Sequence, residues 1–411
     1  MNFIKSIIYS GVSFLLTRCF SILATVIVAR EIDSDVLGVY TLIQSNLVVF
    51  QLLATFSMGN LLTKYIAGTS VLQERNILYS DSMKLVLILG GGFTILFTGY
   101  LYIINIQENV SSVLYYGSSL SILFSSANGV FKGAYRGLEQ YKNFAKKTVL
   151  VFLVYFPVFI FLIFSFGVNG ALLALVLLPI IEFFIYGVGL NKSLTLKIER
   201  RWSTSFKYAI SKFGIPSFMS GLLILPVMVI TNYKLVTFTN LTEVAFFNIA
   251  MQWRNILLII PSIAGSVFLA LLSRVFDKDG EDIKSQFITK GTGIIVTIST
   301  IGGLIIAFGE ELLGYYNVNF VVYSNLFSIV IVSSVISAIN IIIGQYLSAS
   351  DKMWSGLKIN IIWAVTFYSL VLFSADLKDI VYAFLYSYII HTIIQTIYVF
   401  ILLKGDKVVK N

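Results

Sequence analysis

Four side chains that can hold or move charge, Arg18, Glu182, Arg254 and His391, fall deep inside long apolar stretches of the sequence. Each lies about 10 to 12 residues from the end of its stretch, which at helical rise is roughly 15 to 18 Å, near the midplane of a bilayer. Arginine cannot lose its charge under physiological conditions. A cation at that depth is costly against lipid, so it must face protein or water. Two permanent cations against one carboxylate point to a cavity that accepts an anion, and the forked guanidinium matches phosphate oxygens. Glu182 follows Pro179, and desolvation there can keep a carboxyl protonated. It fits H+ or Na+ coupling, or a static partner of an arginine. His391 fits a proton relay or a hydrogen-bonded structural histidine.

Helical spacing places further polar groups beside these residues. Gly11, Arg18, Ser21 and Thr25 share one face; Gln44, Gln51 and Thr55 share another; Ser387, His391 and Gln395 a third. Asn248, Gln252 and Asn255 form a fourth stripe, with Arg254 about 100° from its centre. We take Arg18, Arg254, Gln44, Gln51, Gln252 and Asn255 as candidate substrate-binding residues, and Glu182 and His391 as candidate ion-coupling residues. Of the two arginines, Arg254 fits a cavity less well because of its angular offset.

The elements that must position these groups are apolar spans. Hydrophobic residues make up 57% of the 411 positions and charged residues 12%, against roughly a quarter charged in soluble domains. That pattern predicts an all-α polytopic membrane protein of about 12 helices, over 6–29, 36–66, 83–104, 112–131, 148–166, 170–190, 213–233, 244–272, 291–308, 322–347, 359–374 and 380–403. The span 36–66 is too long for a straight crossing and must tilt, kink or protrude. All five prolines, Pro157, Pro179, Pro216, Pro226 and Pro261, lie inside spans, where each is expected to bend its helix.

Of the 29 Lys and Arg residues, 24 fall on one side of these spans, three (Arg30, Lys234 and Lys378) on the other, and two inside. By the positive-inside rule both termini are cytoplasmic. Weak internal similarity relates the halves: Asp35–Tyr40 to Glu243–Asn248 at an offset of 208, Asn128 to Asn340 at 212, and Gly11 to Gly214 at 203. Six helices per half, each half starting on the same side, give parallel repeats about an axis along the membrane normal. The expected lobes are 1–200 and 201–411.

Several functions are excluded by what is missing. The pI near 9.3 reflects charge scattered over loops and a tail, as topology and anionic headgroups require, with no soluble basic module for nucleic acid. The densest run, Lys192 to Lys212, contains Trp202 and Tyr208 and reads as an interfacial anchor. No phosphate loop, CxxC pair or His/Cys metal cluster occurs, and no cofactor is expected. Cys19 is the single cysteine and reads as a packing residue. The first span lacks a small-residue cleavage site and reads as a retained helix. Gly90-Gly91-Gly92 reads as close helix packing, and Asp277 to Asp282 as a solvated turn.

The segments Ser10–Phe14, Asp33–Tyr40, Gly59–Tyr65 and Gly133–Tyr141 resemble the polysaccharide-transport branch of the multidrug/oligosaccharidyl-lipid/polysaccharide exporter superfamily, which includes the Wzx-type O-antigen repeat-unit flippases. The resemblance covers the chain in length, helix number and duplication. It implies two six-helix lobes around a cationic cavity that turns over an undecaprenyl-diphosphate-linked oligosaccharide at the inner membrane of a bacterial cell, in O-antigen or lipopolysaccharide biosynthesis. It also implies a cavity arginine on the first helix, a position matched by Arg18. Partners would be the lipid-linked saccharide, membrane lipids and other polysaccharide assembly proteins. Peptidoglycan-precursor flippases of the superfamily usually carry two more helices. A multidrug or cation antiporter is the alternative and would favour acidic cavity residues; a membrane enzyme of polysaccharide assembly would need a large loop or paired catalytic groups.

Overall fold

A computed structural model describes residues 3–31, 34–104, 110–190, 193–197, 199–224, 227, 231, 234–235, 241–276, 281–316 and 318–405. The described residues are helical, with no strand among them. Among the described residues, eight segments are long and apolar enough to cross a bilayer, and one of these, Tyr141–Leu190, is two helices in one. The chain is a multi-pass membrane protein.

Two compact units divide at Gly214/Ile215. In the first unit α1 (Phe3–Glu31), α2 (Ser34–Thr55), α3 (Met58–Gly68), α4 (Leu72–Ile104), α5 (Ser112–Gly117), α6 (Leu120–Gly137) and α7 (Tyr141–Leu190) follow one another, then α8 (Thr204–Ala209) and a π-helical turn, Ile210–Gly214. The chain after α7 is laced to α4. Thr195 and Lys197 donate backbone N–H groups to Asn76 Oδ1 and Ser80 Oγ at 3.0 and 2.9 Å. Lys84 donates to the carbonyls of Glu199 and Arg200 at 2.8 Å each and lies over the Trp202 ring. Ser203 donates through its N–H and hydroxyl to Asp81 Oδ2.

Helix α6 is the centre of this unit and packs on α2, α3, α4 and α7. Its glycines permit close approach: a Cβ on Gly133 would run into the carbonyl of Gly59 on α3, and one on Gly137 would meet the Leu62 carbonyl at 2.7 Å. Of the three consecutive glycines in α4, only Gly90 is held close, its would-be Cβ 2.6 Å from Ser126 Oγ, whereas Gly91 and Gly92 face open space.

The long span 36–66 kinks, one of its three expected accommodations. It breaks at Phe56 and Ser57, both left-handed with φ of 47° and 55°. In α7 the non-helical break falls at Gly167 (φ 54°, ψ −128°), and Pro157 and Pro179 lie within the helical stretches on either side of it. Only glycine takes that backbone geometry without strain. Tyr155 then donates to the Ala174 carbonyl at 2.9 Å across the two halves.

The second unit contains α9 (Ile215–Leu222), α10 (Leu241–Leu257), α11 (Ile259–Phe276), α12 (Glu281–Ala307), α13 (Gly309–Tyr316), a 3₁₀ segment (Val318–Tyr323), α14 (Ser324–Ala349), α15 (Met353–Leu372) and α16 (Leu377–Gly405). Here α14 is central, packing on α10, α11, α12 and α16. Asn128 and Asn340, paired by the internal repeat, sit buried on the two central helices. Pro226, residues 277–280 and most of 225–240 lie outside the described residues, as do the side chains of Thr25 and Asn248.

Candidate functional site

Arg18 is aimed by the way α1 docks on α7. Ser6, Ser10, Ser13 and Phe20 are buried along one stripe of α1, and Phe20 enters a nest of Phe152, Tyr155, Phe156 and Phe159 on α7. Arg18, two residues before Phe20, therefore points about 160° away from that contact. It is exposed. Its guanidinium carbon lies 5.3 Å from the centroid of the Phe14 ring, one turn earlier, and it has no carboxylate partner among the described residues. Cys19 beside it is also exposed.

On α2, Gln44 is half-buried, and Gln51 donates to Ser121 Oγ on α6 at 3.4 Å. Thr55 bonds back to the Gln51 carbonyl. Gln51 is thus held within its own unit, whereas no bond fixes the Gln44 amide among the described residues.

Glu182 is buried and its partner is a lysine. Lys132 Nζ lies 3.0 and 2.9 Å from its two oxygens, and Asn128 Nδ2 donates to it at 3.2 Å while also reaching the Pro179 carbonyl. Tyr186 donates at 3.5 Å. Lys132 belongs within α6, not in the basic-side loop where the apolar span ending at residue 131 placed it. The i, i+4 spacing of Asn128 and Lys132 on one helix face was the available signal.

In the second unit, Arg254 turns away from its polar neighbours. Its Nη2 donates to the Tyr388 hydroxyl at 2.7 Å and its guanidinium covers that ring at 5.7 Å, while its Nε is buried without a partner. Gln252 and Asn255 stay exposed on α10. His391 is buried, with Nε2 3.1 Å from Asn360 Oδ1. That contact needs the proton on Nε2, which leaves Nδ1 a bare acceptor, and Nδ1 has no partner. Trp363 stacks on Tyr388 and lies beside the imidazole. Tyr388, Asn360 and Trp363 carry no charge and gave no sequence signal.

The electrostatic balance follows from these pairings. Lys132 neutralises Glu182, so Arg18 and Arg254 keep their charge without a carboxylate among the described residues. No group of three or more His, Cys, Asp or Glu side chains that could hold a metal occurs among them.

A family model described as "Polysaccharide biosynthesis protein" matches residues 3–276. The chain belongs to that family. Its fold is that of the MOP superfamily transporters. It superposes on an outward-facing multidrug resistance MATE family transporter of that superfamily with a TM-score of 0.82 at 16% identity, covering 98% of this chain and 95% of the other. A MATE protein in complex with MaD3S gives 0.83 at 15%, covering 99% and 97%. A MOP superfamily transporter from Pyrococcus furiosus, with a binding pocket of reverse polarity, gives 0.81 at 14%, covering 98% and 96%. No curated protein matches the chain in sequence.

Proposed function

We propose that this family member is a flippase that moves an undecaprenyl-diphosphate-linked oligosaccharide from the cytoplasmic to the outer leaflet of a bacterial inner membrane by alternating access. The observation that carries the proposal is Arg18: a permanent cation at mid-span, turned away from its helical neighbour and matched by no carboxylate among the described residues. A diphosphate supplies that counter-charge and cannot cross hydrocarbon alone. The amides of Gln44, Gln252 and Asn255 offer donors and acceptors for sugar hydroxyls, and the polyprenyl tail stays in lipid. Arg254, held on the Tyr388 hydroxyl, adds positive field, and Gln51 helps to fix α2. Both termini are cytoplasmic in this reading, and the substrate is relocated without chemical change, so the protein is not an enzyme. O-antigen or another surface polysaccharide is the product served.

Likeness to MATE transporters supports a multidrug antiporter as a second reading. It is the weaker one, because Glu182, the one carboxylate expected at membrane depth, is bound to Lys132. The reverse-polarity pocket of the Pyrococcus furiosus relative is a precedent for pocket charge differing within this fold.

Replacing Arg18 by Ala removes charge-assisted hydrogen bonds each worth about 1.5 to 3 kcal/mol. At equal membrane levels we expect lipid-linked intermediates to build up and surface polysaccharide to fall at least about tenfold, with partial retention in Arg18→Lys. Unchanged polymer in both variants would exclude the anion role, and a gain of drug susceptibility without polymer loss would favour the antiporter.

A further inference from the structure

The first turns of α4 and the segment laced to them border an open cleft of about 260 Å³ that carries charged groups on a largely apolar lining. Its lining combines opposite charges. Asp81 lies at the helix side and is only 5% exposed. Both bonds from Ser203 go to its Oδ2, so Oδ1 has no partner among the described residues, and no cation pairs with this carboxylate. Lys197 and Arg201 also line the cleft, exposed, with side chains that have no partner among the described residues; the exposed Glu199 lies between them in sequence. Ile77, 37% exposed, contributes an apolar strip, and Leu196, 45% exposed, stands next to Lys197.

A simple anion entering this cleft would meet a buried carboxylate. A simple cation would meet an ammonium and a guanidinium in the same lining. A zwitterion with an ammonium at one end and a phosphate at the other satisfies both: N–H donors reach Asp81 Oδ1, and phosphate oxygens take Arg201 and Lys197. The apolar strip beside the charged groups, with Trp202 next in the chain to Arg201, fits the boundary between headgroups and acyl chains.

We propose that this cleft binds the phosphoethanolamine headgroup of an aminophospholipid. The site is independent of the flippase reading and rests only on the first unit. A quaternary ammonium cannot donate to Asp81, so the site distinguishes phosphatidylethanolamine from phosphatidylcholine.

The test uses the full-length chain, delipidated in detergent. It is titrated with phosphatidylethanolamine, phosphatidylcholine of the same acyl chains, phosphatidylglycerol, and soluble glycerophosphoethanolamine, and retained lipid is counted by native mass spectrometry. Phosphatidylethanolamine should bind about tenfold more tightly than phosphatidylcholine. Asp81→Asn should erase that preference. The double variant Lys197→Ala/Arg201→Ala, which touches no fold contact, should weaken both lipids alike and so reports even where Asp81→Asn fails to fold. Equal binding of the two lipids by the unaltered chain, a preference surviving in folded Asp81→Asn, or tightest binding of phosphatidylglycerol would each overturn the proposal. Retention of glycerophosphoethanolamine as tight as that of the lipid would overturn the lipid assignment.

Discussion

Lys132 and Glu182 show how one side chain changes the meaning of another. A carboxylate buried near Pro179 invites an ion-coupling role as long as its partner is unknown; with Lys132 Nζ at 2.9 Å it is a neutral pair supported by Asn128 and Tyr186. Breaking a buried pair from one side leaves the other charge stranded, which costs more than the pair itself contributes. Lys132→Ala should therefore lower stability by about 3 kcal/mol, the lower end of the range because 32% of the lysine side chain is exposed. The double variant Lys132→Ala/Glu182→Gln should recover most of that loss. Thermal melting of the purified variants reads both, and a double variant as unstable as the single one would contradict the pairing argument.

At the level of helices, the apolar spans were legible because hydrocarbon thickness dictates their length. The positions of their interruptions were not. Proline is a conspicuous letter, yet α7 passes through Pro157 and Pro179 and folds at Gly167, where a free φ matters more than a missing donor. The break between α2 and α3 carries no Gly or Pro at all: Phe56 and Ser57 are held left-handed beside the Gly59–Gly133 contact, at about 1 to 2 kcal/mol each. Ser57→Gly should relieve one of these costs and raise the melting temperature. A lower melting temperature would mean that the serine side chain contributes more than its backbone strain costs.

Across the whole molecule, composition and the apolar spans made the membrane class plain. The hydrogen bonds of Thr195, Lys197 and Ser203 to α4 join the stretch after α7 to the first unit, and no local signal announces pairing across more than a hundred residues. The candidate site was half legible. Charged residues announce themselves, whereas the neutral Tyr388 and Asn360 that orient Arg254 and His391 do not. The orientation inferred from basic residues is testable in a Cys19→Ser background, needed because Cys19 is exposed. A cysteine at Lys378 should react with an impermeant reagent added outside intact cells, and one at Lys5 should react only after lysis. The reverse labelling would invert the molecule.

In the proposed cycle, two guanidiniums with no carboxylate partner among the described residues would also make the protein sensitive to membrane voltage. Carrying one such charge across the full field takes about 2.3 kcal/mol per 100 mV, so an empty carrier that shifts Arg18 and Arg254 through part of the bilayer performs electrical work in proportion to the distance. A bound diphosphate, as we propose, would cancel that charge. The loaded and unloaded strokes of the cycle would then feel the resting potential unequally, and its sign would favour the return of the empty protein toward the negative interior.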